Sequence, residues 1–348
     1  MNFRITEPNI ENLFRMFRRE PVETVPFFEL FMDYPVYEYF AGRTYEGTDE
    51  LEILKLTVDA FYNIGCDYAT TFSSNFAFPR KQPEQDGSGR VTVSLNDGNT
   101  ITDRESFEAY EWPDPWKFDC SRLEKIRDYL PKGMKLAVWG PESILESVTA
   151  LVGYDNLCYM LVDDPELLQD IFDKVGEAVV GYYEQAVQYD TVGFLISNDD
   201  WGFNTQTFLS VEDLRKYVFP WHKKIVEVAH RNGKPIILHS CGYMTDVMDD
   251  IIDDMKYDGK HSFEDNILSV EDSYRRWGDR IAILGGIDLQ YLSVATDEEI
   301  KERCKNLYHL TREKGGYALG TGNSMVDYLN PNKYIAMLEA WREVQSNH

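Results

Sequence analysis

Pro235-Ile236-Ile237-Leu238-His239-Ser240-Cys241-Gly242 is the stretch from which the fold is read. Its apolar half has the length of a short buried strand, and the polar half follows at that strand's C-terminal end. Side chains alternate along an extended chain, so His239 and Cys241 leave it on the same side. An imidazole and a thiol held together there are two thirds of an open zinc site. The same two residues also read as a core histidine beside a small buried cysteine. The sequence around them leaves both readings open.

Working outward, the same punctuation recurs: a short apolar run, a polar cluster, then a helical pattern. Runs at 25–31, 68–72, 136–139, 193–196, 235–239, 258–262, 281–284 and 317–319 predict eight strands. Helical periodicity separates them, most clearly at 50–64, 144–151, 165–189 and 211–232. Eight strands alternating with helices predict an α/β fold of the TIM type, a (β/α)8 barrel occupying 1–348 as one domain. A doubly wound sheet would carry a Gly-rich phosphate turn after its first strand, and none stands there. The segment 89–103 alternates around Asn96-Asp97-Gly98 and predicts a small β-hairpin inserted into the series.

Composition narrows the partners. The chain has 60 acidic and 35 basic residues and a formal net charge of −25. Such a surface repels phosphate backbones and anionic bilayers, which argues against nucleic acid and membrane partners. The N-terminus lacks the apolar core of a signal peptide, and no apolar run reaches the length of a span. The five cysteines, Cys66, Cys120, Cys158, Cys241 and Cys304, are odd in number and include no CxxC pair. Free thiols in a reducing, cytoplasmic setting are the expectation.

Barrel enzymes work at the C-terminal ends of their strands. The polar residues after each apolar run therefore become candidates for one cavity. Asn198-Asp199-Asp200-Trp201 follows the fourth strand; its carboxylates are candidates to bind a metal, to orient a ligand histidine, or to hold substrate. An acidic helix cap is the alternative reading of those carboxylates. Glu29 and Glu142 top the first and third strands, and His261 stands near the end of the sixth. Asn323 lies in Gly320-Thr321-Gly322-Asn323-Ser324 after the eighth, where glycines let a ligand approach the backbone.

In this order the motifs resemble the uroporphyrinogen decarboxylase superfamily. The landmarks are Glu23-Thr24-Val25-Pro26-Phe27, Gly65-Cys66-Asp67-Tyr68, Trp139-Gly140-Pro141, Phe219-Pro220-Trp221, His239-Ser240-Cys241-Gly242 and Leu284-Gly285-Gly286-Ile287-Asp288, ending with Gly320–Ser324 and Pro331. The resemblance implies a (β/α)8 barrel. True decarboxylases of this kind carry an arginine-containing stretch after strand one, whereas this chain reads Phe28-Glu29-Leu30-Phe31-Met32-Asp33. The resemblance is thus to the cobamide-dependent methyltransferase branch.

That branch implies zinc held by His239 and Cys241, with a second cysteine near the last strand. Asn323 stands about where that cysteine would be, so a carboxylate of Asp199, Asp200 or Glu142 is expected to complete the set or to serve as proton donor. Glu29, Asn198, Trp201, His261 and Asn323 are the expected substrate contacts, with Trp201, Phe203, Tyr68 and Phe72 as an aromatic wall. The implied reaction moves a methyl group between a small, methoxylated donor (an O-demethylation) and a corrinoid, or cobalamin, carried by a separate protein. A homodimer is the assembly state kept in view. The rival expectations are a decarboxylase-like lyase acting on a small carboxylate and a catalytically silent barrel that binds a ligand or a corrinoid protein.

Overall fold

Seven of the short apolar runs pair into one parallel sheet in a computed structural model, which describes residues 2–22, 24–81, 96 and 99–346. The strands are β1 (Tyr68–Thr71), β2 (Lys135–Trp139), β3 (Val192–Asn198), β4 (Ile236–His239), β5 (Gly259–His261), β6 (Ala282–Leu284) and β7 (Tyr317–Ala318). Each lies beside its neighbour in chain order. Helices between them cover the outer face, so the strands are buried on both sides and most read as apolar runs; Gly259–His261 is the polar exception. Ile236, Ile237 and Leu238 are all fully buried. The expected hairpin at 89–103 lies for the most part outside the described residues, and 99–103 carry no strand.

The first expected strand, at 25–31, departs from the prediction. It makes only isolated bridges, Phe27 to Leu319 and Met32 to Met325, alongside the end of β7 and the loop beyond it. Toward β1 it is joined by side chains instead of a ladder. The Tyr68 hydroxyl accepts from the Glu29 N–H at 2.8 Å and donates to the Glu29 carbonyl at 2.7 Å. Cys66 Sγ donates to the Phe27 carbonyl at 3.6 Å. Tyr68 thus occupies the backbone groups a ladder would use, and Pro26 has no N–H to offer. The fold is TIM-barrel-like with a sheet of seven strands that is not fully closed, where eight were expected.

The long helical pattern at 211–232 also resolves into parts: a turn at Val211–Asp213, a π-helical turn at Leu214–Val218, and a helix at Phe219–Arg231. Pro220 cannot donate to the carbonyl four residues back, and the π turn absorbs that break. No helix among the described residues is long and apolar enough to cross a membrane.

The register of the sheet positions the site. Asn198 of β3 stands beside His239 of β4, and His239 beside His261 of β5. Paired residues in a sheet share a face, so these three side chains point the same way at one end of the sheet.

Candidate functional site

The site grows from the end of β4. The Asp199 N–H donates to the His239 carbonyl at 3.0 Å, extending the β3–β4 ladder one step past the strand. That step brings the next side chain, Asp200, against the backbone after His239. Its Oδ1 accepts from the Cys241 N–H at 2.8 Å. Cys241 Sγ lies 3.7 Å from His239 Nε2. One ligand atom each from Asp200, His239 and Cys241 fits within 4.8 Å of the other two. Imidazole nitrogen, thiol sulfur and carboxylate oxygen are all zinc donors, and three protein ligands leave a fourth position open.

Electrostatics are consistent with that donor set. Burial pushes the His239 imidazole down to about 3, with the Lys260 ammonium adding to the effect, so the ring is neutral as a ligand must be. Burial pushes the Cys241 thiol well up, and Asp200 adds to it. The Asp200 carboxyl is raised by burial as well. Two acidic groups side by side at this depth ionise readily only when a cation compensates them, and metal binding releases their protons. The donors therefore fit a divalent metal.

Around them, His261 is buried with its Nδ1 2.8 Å from His239 Nδ1 and its Nε2 3.1 Å from the Thr321 carbonyl. Asn323 Nδ2 donates to Cys241 Sγ at 3.4 Å. Glu264 accepts from the Gly242 N–H at 3.3 Å. Asp200, His239, Cys241, His261 and Asn323 are thus brought together.

The remaining expected residues have other partners. Asp199 is fully buried and accepts from the Leu145 and Glu146 N–H groups, the Trp201 indole at 2.9 Å and His222 Nε2 at 2.9 Å. It caps the helix Leu145–Val152 and pins Trp201, whose ring is fully enclosed. Asn198 Oδ1 accepts from the Gly140 N–H at 3.1 Å. Glu142 is paired with Arg80 and accepts from the Ser147 hydroxyl at 2.8 Å. Glu29, buried near β7, accepts from the Thr321 hydroxyl at 2.6 Å and the Tyr334 hydroxyl at 3.0 Å. Burial raises its carboxyl to about 8.

Sequence reading missed three features. Lys260 is buried on the opposite face of β5; its ammonium is held by the Ser240 and Ser262 carbonyls and lowered by burial to about 8. Its run, Asp258-Gly259-Lys260-His261-Ser262, is polar throughout, so nothing local marked the lysine as buried. Glu146 accepts from the Asp200 N–H at 3.3 Å, a contact that only the fold creates. Trp139, at the end of β2, stacks on Phe31 at 5.1 Å and packs on Phe72 at 4.5 Å, forming a half-buried aromatic wall. Tyr68, by contrast, is buried in the core, and Phe203 packs on Phe208 at 4.2 Å.

Comparison with known proteins bears on the family and the fold. The sequence pattern described as Uroporphyrinogen decarboxylase (URO-D) matches residues 100–344. No curated protein matches the sequence. Among solved structures, a methyltransferase from Methanosarcina mazei is similar with a TM-score of 0.74 at 16% identity, covering 97% of this chain and 99% of that one. The pneumococcal exo-β-D-N-acetylglucosaminidase StrH, in its GH20 catalytic modules, is similar with a TM-score of 0.44 at 12% identity, covering 94% and 86%. The likeness to the Methanosarcina mazei structure is one of fold.

Proposed function

The chain belongs to the uroporphyrinogen decarboxylase family, and from that premise we propose that it is a zinc-dependent methyltransferase. It moves a methyl group between a small methoxylated donor and a corrinoid carried by a separate protein. The observation that carries this reading is the clustering of Asp200, His239 and Cys241 donor atoms within 4.8 Å of one another. The structural similarity to a protein described as a methyltransferase supports it.

Asp200, His239 and Cys241 would hold the metal. When bound, the metal supplies Lewis acidity toward an ether oxygen, whose poor leaving ability is what makes methyl ethers inert. The chain's own residues do the rest. His239 offers a neutral nitrogen; Asp200 and Cys241 offer two negative donors that together neutralise a divalent charge. Asn323 directs an N–H at the thiol sulfur. Phe31, Trp139 and Phe72 pack into a half-buried aromatic cluster, the kind of apolar surface on which an aromatic methoxy compound packs. In the reaction the O–CH3 bond breaks, the methyl group passes to the corrinoid cobalt, and the oxygen keeps the electron pair and takes a proton from water.

Metal analysis of anaerobically purified protein tests the proposal. About one zinc per chain, lost on Cys241→Ala, is expected, together with methyl transfer from methoxylated aromatics to cobalt(I) corrinoid. A metal-free wild-type protein would overturn it. Carbon dioxide release without a corrinoid partner would favour the lyase, and binding without turnover would favour a silent barrel.

A further inference from the structure

His261 does not sit beside His239 by packing alone. We infer that His261 is a positioning residue that locks His239 in the tautomer whose bare Nε2 faces Cys241. The reasoning begins at the Thr321 carbonyl, which can only accept hydrogen bonds. It lies 3.1 Å from His261 Nε2, so that nitrogen carries a proton. A neutral imidazole has only one N–H, which leaves His261 Nδ1 bare. His239 Nδ1, 2.8 Å away, must then be the donor between them. With its single proton on Nδ1, His239 presents an unprotonated Nε2 on the side of Cys241 Sγ. Every step is fixed by the one before it, back to a backbone oxygen that cannot change roles.

The structure also holds that oxygen in place. Thr321 bridges to Ile287, and its carbonyl accepts from the Gly286 N–H at 3.0 Å. Its hydroxyl is tied to Glu29 at 2.6 Å. Gly285 has φ +70°, and a Cβ there would run into the Thr321 carbonyl and lie 2.8 Å from His261 Cδ2. The missing side chain is what lets the carbonyl and ring approach. His261 also packs on Phe28 with ring centroids 4.9 Å apart, which fixes the ring plane. Both rings are buried, and their hydrogen-bond partners among the described residues are each other, the Cys241 thiol and the Thr321 carbonyl, so no carboxylate holds a second proton on either ring and each is in the neutral state in which a tautomer is defined.

The metal consequence of this inference rests on the zinc reading; the tautomer itself does not. Nitrogen NMR of the metal-free, imidazole-labelled full chain reads it directly. His261 protonated at Nε2 and His239 at Nδ1 is the expected pattern, and His239 protonated at Nε2 overturns the inference. A metal-free protein with the expected pattern leaves the inference standing and defeats only the zinc reading. His261→Phe keeps a ring but removes the acceptor. It should leave His239 as a mixture of tautomers and weaken zinc retention against a chelator about 10- to 100-fold. His261→Gln, which supplies a carbonyl oxygen to the His239 Nδ1–H, should restore most of both. An unchanged His239 spectrum in a folded His261→Phe variant would sink the positioning role.

Discussion

Asn323 donates its side-chain N–H to Cys241 Sγ across 3.4 Å, joining the loop after β7 to the end of β4. An amide donor softens the charge of a thiolate without being a ligand to a cation itself. The position nonetheless has the reach of a ligand. Two sulfurs on one tetrahedral zinc, with Zn–S bonds of about 2.3 Å, stand about 3.8 Å apart. Asn323→Cys should therefore add a fourth donor and raise zinc affinity at least tenfold, roughly the effect of one added thiolate. Competition against a chromogenic chelator measures it, and an unchanged affinity would show that the loop does not reach.

Asp199 and Asp200 are adjacent in sequence and opposite in role. Asp200 Oδ1 takes the Cys241 N–H. Asp200→Asn keeps that acceptor but loses the negative charge, so zinc should bind at least about 10-fold more weakly while the unfolding midpoint changes little. Asp199 accepts from two backbone N–H groups, an indole and His222. Asp199→Asn turns an amide N–H toward these donors and should cost about 3 kcal/mol of stability. Zinc stoichiometry should persist in whatever folds. Denaturant unfolding and metal analysis on the two variants give opposite patterns if this is right, and matching patterns refute it.

That pair also marks how far the sequence could be read. The seven strands of the sheet were legible, most of them because strands covered on both faces appear as apolar runs such as Ile236–His239, and the polar Gly259–His261 only from its place in the alternating series. The His239–Cys241 pair was legible because a strand alternates. Past the end of β3 the alternation gives way to loop geometry, so nothing local distinguished Asp199 from Asp200, or revealed that Trp201 turns inward. The missing ladder beside β1 depends on the reach of the Tyr68 hydroxyl to Glu29, a contact between residues 39 apart in the chain. Lys260 was overlooked because its partners are backbone carbonyls, which leave no mark on composition.

Glu29 gives a pH prediction. Its carboxyl rises from 4.5 to about 8 on burial, with the hydrogen bonds from Thr321 and Tyr334 offsetting only part. Below pH 4.5 the group is protonated whether the chain is folded or not. Between 4.5 and 8 the folded state keeps a proton that the unfolded state releases, so stability falls as pH rises and the loss is complete above 8. Each unit of separation corresponds to about 1.4 kcal/mol, which puts the full effect on the order of 5 kcal/mol. Glu29→Gln removes the ionisation, so its urea midpoint should vary much less between pH 5 and pH 9 than that of the wild type. Equal slopes for the two proteins would show that Glu29 is not the group responsible.

Gly42 and Gly285 share a backbone conformation, with φ +72° and +70°, but not their surroundings. Gly42 ends the helix Tyr34–Ala41, and a Cβ there would meet nothing within 4 Å. Gly42→Ala should therefore cost only the left-handed backbone strain, about 1 kcal/mol. At Gly285 the same substitution adds a collision with the Thr321 carbonyl and the His261 ring. The carbonyl cannot retreat without losing its bonds from Gly286 and His261. Gly285→Ala should cost about 3 kcal/mol, combining strain with a lost buried hydrogen bond. It should also broaden or shift the imidazole nitrogen resonances of His261 and His239, which Gly42→Ala leaves untouched. Because the two sites match in φ, the difference between the variants isolates the close approach, and equal stability losses would mean that the space beside Gly285 is not what holds His261 against Thr321.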